Sequence, residues 1–265
     1  MTSAHLLAKR AFAVPAKAVR FARRAPTRWV LTFHEVGDHA WAVTAGRFEQ
    51  ILEAVRAAAA VVPLSDLLDA DPAGPLRAAI TFDDGYAGVS ERALPVLERL
   101  GARATVFLPT ALLQESDALP PQDRGLYEGV PLMGWGTVRR LAKSSPLAFE
   151  SHGATHRALP GLPAEERRND LLRSREAIAA ATGIAPRFLA YPFGAADPET
   201  AASAKQVGFA AAFTTRHGGI RATSDSFLLP RVDVRADYAP RDVLSILRGD
   251  WDFLSWAQAL RGKGA

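Results

Sequence analysis

The chain has 265 residues, 48% of them hydrophobic, enough to bury the core of one large domain. It holds no cysteine, so disulfides and thiol chemistry are excluded while the cellular compartment stays open. The net charge of +4 is unevenly spread, because Lys9, Arg10, Lys17, Arg20, Arg23, Arg24 and Arg28 all precede the first acid, Glu35.

Residues 1–28 read as a basic N-terminal arm, and 29–265 as a single domain with no Pro/Gly/Ser linker inside it. Over Met1–Arg24 the arm is amphipathic: Leu6, Leu7, Phe12, Val14, Val19 and Phe21 interleave with Lys and Arg, and Pro15 breaks the pattern. It shows no clear uninterrupted apolar stretch or small-residue cleavage site of the kind a secretory signal needs. No apolar run approaches the roughly 20 residues of a membrane span. A cytoplasmic or membrane-peripheral location is therefore expected. The arm has two readings, a loosely docked segment or peripheral contact with an anionic membrane surface. Nothing in the chain carries a nucleic-acid-binding motif.

Trp29–Phe33 is a β-type run that ends at His34-Glu35-Val36-Gly37-Asp38. Thr44–Ala60 has helical periodicity, with Phe48, Ile51, Val55 and Ala59 on one face and Thr44 as N-cap. A short helical turn over Ser65–Leu68 precedes the Asp71–Pro75 loop. Leu76–Ile80 then turns apolar and runs into Thr81-Phe82-Asp83-Asp84-Gly85-Tyr86. A helix over Val89–Leu100 stops at Gly101, and Ala104–Leu108 is a buried strand. Strand, helix, strand implies βαβ units and a parallel sheet or barrel.

Ala111–Met133 is a long polar insertion, expected to be a lid or disordered. A helix over Trp135–Lys143 and a strand over Leu147–Glu150 lead to Ser151-His152-Gly153-Ala154-Thr155-His156. Pro163–Thr182 reads as a helix with Leu171, Leu172, Ile178 and Ala181 inward. Its Glu165, Glu166, Arg167, Arg168, Arg173 and Arg175 read as a solvated face. Strands follow at Arg187–Tyr191, ending in Pro192-Phe193-Gly194, at Phe209–Phe213 and at Phe227–Leu229. Helices are expected over Pro198–Val207, Pro240–Arg248 and Trp251–Leu260.

The chemistry sits at the strand ends. Asp83 and Asp84 are adjacent carboxylates that repel unless a cation lies between or beside them. A catalytic metal commonly takes three protein ligands and leaves one position open. Asp84, His152 and His156 are such a set, drawn from two strand ends. Asp83 is then free to act as general base on a water. Backbone N–H groups of Tyr191 and Phe193 are candidate oxyanion donors. His34, at the end of the first strand, could protonate a leaving amine.

Three segments, Thr81–Gly85, Ser151–His156 and Tyr191–Gly194, resemble in order and spacing three motifs of the polysaccharide deacetylases. These are the NodB-homology enzymes of carbohydrate esterase family 4, and the resemblance spans about Trp29 to Val234. It implies a distorted (β/α) barrel with about seven parallel strands. It implies a divalent metal, zinc first and cobalt or nickel as alternatives, and a substrate that is an acetylated glycan. By the same resemblance Asp83 is the base and Asp84, His152 and His156 are the metal ligands.

Two departures stand out. Where the family commonly has an arginine that braces the catalytic Asp, this chain has Ala190; Arg231 is either its replacement or a surface cation at a strand end. The family's last motif, Leu-x-Leu-x-His, is absent. Instead Leu31–Val36 resembles the rearranged subgroup whose acid His comes from the first strand, which points to His34. Asp233 and Asp237 are candidates for supporting roles. N-deacetylation of a GlcNAc-type glycan is the expected activity. An O-acetyl esterase, a degenerate glycan-binding protein and a non-haem iron oxygenase are the alternatives.

Overall fold

Seven parallel strands close into a barrel. The computed structural model describes residues 6–7, 9–11, 26–120 and 129–260, apart from the side chains of 256, 257, 259 and 260. The strands are β1 (Arg28–Phe33), β3 (Arg77–Phe82), β4 (Ala104–Leu108), β5 (Leu147–Ser151), β6 (Phe188–Ala190), β7 (Ala211–His217) and β8 (Leu229–Asp233). They pair in that order, and β1–β3 and β1–β8 pairings complete the ring. A two-residue β2 (Ala60–Val61) extends the start of β3 on its β4 side. Around the strands lie helices α1 (Ala45–Ala58), α2 (Leu64–Asp69), α3 (Leu94–Arg99), α4 (Trp135–Ser144), α5 (Ala164–Thr182), α6 (Pro198–Val207), α7 (Pro240–Leu247) and α8 (Phe253–Leu260).

Side-chain alternation decides what faces the barrel interior. In β1, Trp29, Leu31 and Phe33 pack outward with Phe48, Ile51, Leu52 and Val55 of α1. Val30 points the other way, into a cluster with Ala79, Phe107, Ala190, Phe213 and Leu229, floored by Leu64 and Leu67 of α2. Thr32 and Thr81 continue this inner face and share a hydrogen bond at 3.0 Å. The same parity carried one step further brings His34, Asp83, Arg231 and Asp233 to the C-terminal rim. Each fully buried Leu, Ile or Phe contributes about 1.5–3 kcal/mol, so the two-sided packing of these strands holds the rim in place.

Several expectations move. β8 covers Leu229–Asp233 rather than Phe227–Leu229, with Pro230 inside it. The helix expected from Val89 opens with a π-helical turn over Val89–Ala93, and α3 proper begins at Leu94. On α5, Arg167 is buried and donates to Ser203 Oγ at 2.9 Å and to Leu162 O, whereas Leu172 is exposed. The inward stripe of α5 is Arg167, Asp170, Leu171, Ser174 and Ile178. The 111–133 insertion is tied at its base by an Ala118–Leu132 bridge and by Met133 N–H to Gly85 O at 2.8 Å, and 121–128 lie outside the described residues.

Most of the N-terminal arm, 12–25, also lies outside the described residues. The described part is docked. Leu6 is buried in the outer core, Lys9 donates to Tyr238 Oη at 3.0 Å, and Arg10 donates to both carboxylate oxygens of Asp242 at 2.8 and 2.6 Å. Arg28, counted with the arm from sequence, is the first residue of β1. No helix of the described residues is long and apolar enough to cross a membrane.

Candidate active site

Asp83 extends β3 by one residue, and its N–H donates to Phe33 O at 2.9 Å, as a continued strand would. Its carboxylate is gripped by Arg231, with Nη1 to Oδ1 and Nη2 to Oδ2 both at 2.7 Å. Arg231 is 1% exposed; its Nε donates to Thr214 O at 3.1 Å and its guanidinium lies over the Phe107 and Phe213 rings. Burial pushes the Asp83 carboxyl up, but the charges of Arg231 and then His152 outweigh it and hold the pKa below its usual value. Arg231 is thus a buried partner of Asp83 and not a surface cation. It reaches Asp83 from β8.

The chain turns at Asp84, not only at the glycine after it. Asp84 has φ of 67° and Gly85 φ of 68°. A left-handed non-glycine residue is uncommon, and aspartate tolerates it better than most. The turn brings Asp84 back to the rim, where Oδ1 lies 3.5 Å from His152 Nε2 and 3.1 Å from His156 Nε2. Ligand atoms of Asp84, His152 and His156 all lie within 4.8 Å of one another, and all three residues are buried.

His152 follows Ser151, whose hydroxyl faces outward to Ser174 of α5 at 2.8 Å, so His152 faces the barrel. Its Nδ1 lies 2.7 Å from Ala190 O. With the proton on Nδ1, the Nε2 lone pair confronts a carboxylate oxygen. Asp84 Oδ1 is itself buried and makes no hydrogen bond among the described residues. Acceptors that converge in this way fit a cation between them. Burial raises Asp84, yet the His152 and His156 imidazoles facing its carboxylate bring it well below the carboxylate range. Burial lowers His152, yet the facing Asp84 carboxylate and the Asp83 charge raise it overall.

The oxyanion candidates separate. Tyr191 N–H donates to Phe213 O at 3.0 Å within the barrel ladder, and its side chain faces outward, with Oη donating to Phe227 O at 2.9 Å. It therefore offers no donor to the site, which corrects the sequence expectation: Tyr191 still belongs to the β6 ladder, so its N–H was already engaged. Phe193 sits in the left-handed region, φ 59° and ψ 7°, in a turn closed by Gly194 N–H to Tyr191 O and Ala195 N–H to Pro192 O. That turn closes without the Phe193 N–H. The Phe193 ring is 54% exposed and stands 4.7 Å from the His156 ring.

His34 lies at the rim between solvent and Asp233, with Nδ1 3.7 Å from Asp233 Oδ1. Its positive form would hold Asp83 and Asp84 lower still. His217, at the end of β7, is buried and pushed down to about 4 by that burial, then by Lys9, so it stays neutral near pH 7.

Glu35, the next residue after His34, escaped sequence reasoning. It is buried beneath the π-turn, where a Cβ on Gly88 would come within 2.2 Å of Glu35 Oε1. Burial raises its pKa to about 7, although Arg92 at 3.6 Å pulls it down. A carboxyl raised in the folded state adds stability below its unfolded value of 4.5 and loses it as pH rises through about 7. Glu35→Gln should therefore gain on the wild type with rising pH, by about 1–3 kcal/mol between pH 4.5 and 8. Urea denaturation at both pH values checks this, and an unchanged difference would contradict it.

Residues 71–212 match the family profile described as polysaccharide deacetylase. That is more than half of the chain. The chain belongs to the polysaccharide deacetylase family. The Bacillus subtilis (strain 168) protein YxkH, described as a polysaccharide deacetylase, is 25% identical over 155 residues, which cover 58% of this chain and 50% of YxkH. The matched part thus spans about half the length of that curated relative. The structure of IcaB from Ammonifex degensii superposes with a TM-score of 0.73 at 21% identity, over 85% of this chain and 98% of that one. The Streptococcus pyogenes deacetylase PplD, solved in complex with acetate, gives 0.71 at 17% identity over 84% and 99%. At these identities the likeness is one of fold, and it agrees with the seven-stranded barrel. Polysaccharide deacetylases act on acetylated glycans, and the Asp84–His152–His156 cluster could hold the metal that such enzymes use.

Proposed function

We propose that this chain is a metal-dependent hydrolase that removes N-acetyl groups from a GlcNAc-type glycan or glycoconjugate. One observation carries the reading: a base candidate, Asp83, held by a bidentate arginine beside a buried Asp-His-His set whose donor atoms converge. Asp84 Oδ1, His152 Nε2 and His156 Nε2 would hold a divalent ion, zinc first by donor type with cobalt or nickel as alternatives. Such an ion, when bound, supplies Lewis acidity toward the acetyl carbonyl and a lowered water pKa.

The chain's own residues do the rest. Asp83, kept ionised by Arg231, accepts a proton from the attacking water. The Phe193 N–H, left over by its turn, donates to the oxyanion as the carbonyl becomes tetrahedral. His34, oriented by Asp233, gives a proton to the departing amine, leaving a free amino sugar and acetate. The exposed Phe193 ring beside His156 offers an apolar face against which a sugar ring can lie.

The test is acetate release from GlcNAc oligomers and from acetylated xylan, with and without chelation. Release from the GlcNAc oligomers should stop with EDTA and return with Zn2+. Release from xylan alone would move the reading to an O-acetyl esterase. Glycan binding with no release from either would leave a binding protein in its place.

A further inference from the structure

The loop that joins β5 to α5 carries both imidazoles, and its peptide groups are held from two sides. Thr110 N–H donates to Gly153 O at 3.2 Å and Ala111 N–H to Ala154 O at 2.8 Å. From the opposite side, Asp170 of α5 takes the donors. Its Oδ1 accepts Ala154 N–H at 2.8 Å, and its Oδ2 accepts Thr155 N–H at 3.1 Å and the Thr155 hydroxyl at 2.6 Å. Asp170 is 4% exposed, and none of these bonds goes to an imidazole.

The loop needs such support because its backbone is strained. Gly153 has φ of 73° and His156 φ of 52°. A left-handed non-glycine residue costs of order 1–3 kcal/mol and persists only where its surroundings over-determine it. The loop is also closed down on the carboxylate: a Cβ at Gly153 would stand 3.0 Å from Asp170 Oδ1. His152 has its own anchor in Ala190 O. His156 points its Nε2 at Asp84 from the strained end of the loop, immediately after the two residues that Asp170 grips.

We propose that Asp170 is a positioning residue for the metal ligands, fixing the 153–156 backbone so that His156 Nε2 converges with His152 Nε2 on Asp84. This rests on the reading of that trio as a divalent-metal site. Asp170→Asn keeps the size of the side chain but turns an amide donor toward a backbone or hydroxyl donor, so at least one of the three bonds is lost. Groups that hydrogen-bond a ligating side chain typically govern metal affinity 10–100-fold, and Asp170 acts on His156 through the peptide groups that carry it.

Apo-protein prepared with a chelator is titrated with Zn2+ against a chromophoric competitor and, separately, with Co2+ read by its d–d absorption. Asp170→Asn should bind Zn2+ about 10–100-fold more weakly than wild type, and its cobalt spectrum at saturation should differ in position or intensity. Thr155→Ala, which removes one of the three bonds to Asp170 together with the exposed bond that the hydroxyl accepts from Arg157 Nε at 3.2 Å, should weaken zinc by a smaller factor and serves if Asp170→Asn does not fold. Affinity within threefold of wild type, or a wild-type cobalt spectrum at saturation, overturns the proposal, because a merely structural tie would lower stability without altering the ligand geometry. If wild type itself takes up no stoichiometric metal, the reading of the trio fails rather than the role of Asp170.

Discussion

Asp83→Asn should lower the rate of acetate release by about 10²–10⁴-fold, the range a positioned general base commonly contributes. The same variant should keep its metal, since the convergent atoms belong to Asp84, His152 and His156. Both results are needed. Retained metal with lost turnover places Asp83 on the reacting water, whereas lost metal would make it a ligand. The amide can still accept from one Arg231 nitrogen, but its NH2 faces the other, so some loss of stability accompanies the change. Metal content by atomic absorption and single-turnover acetate release, measured on the same sample, separate these effects. Unimpaired turnover would sink the assignment of Asp83 as base.

Arg231→Met should destabilise the fold by about 3–5 kcal/mol, because it leaves Asp83 buried without its counter-charge. For a domain of this size that is roughly a 10 °C fall in Tm. The pH dependence has a definite sign. The folded-state pKa of Asp83 lies below its ordinary 3.8, so the pair's contribution is present above that value and is lost as pH falls through the lowered one. Without Arg231 the carboxyl should protonate at higher pH. The acid limb of the pH–rate profile should then move up by about one unit or more. Arg231→Lys restores a charge but not two parallel bonds, and should recover only part of either effect. An unmoved acid limb in a folded Arg231→Met protein would show that something other than Arg231 keeps Asp83 ionised.

Much of the barrel was legible because its strands are short apolar runs bounded by turn residues, and that pattern is local. β4 and α6 fall where the sequence places them, and Thr44 caps α1 by accepting from Arg47 N–H. β8 was misjudged because Pro230 argues against a strand interior, yet a residue whose N–H faces away from the ladder is tolerated there. Asp170 was passed over because α5 is crowded with charge. Its place in the stripe with Arg167, Leu171, Ser174 and Ile178 was the available signal, and a stripe that mixes Arg, Asp and Ser does not read as apolar.

What the sequence by itself determined is the kind of chemistry and its address. Asp83-Asp84, His152-x-x-x-His156 and Pro192-Phe193-Gly194 each follow a strand, and strand ends of a parallel barrel share one rim. What only the tertiary structure decided is which of these groups meet, and in which state. Asp83 and Arg231 are 148 residues apart, and their bidentate contact exists only because β1 closes the ring between β3 and β8. Tyr191 and Phe193 are two residues apart, yet one N–H belongs to the ladder and the other does not, a distinction set by where β6 stops pairing with β7. Local pattern records what each residue can do. Closure of the barrel, a long-range pairing with no signature in any one segment, decides which partner each residue has.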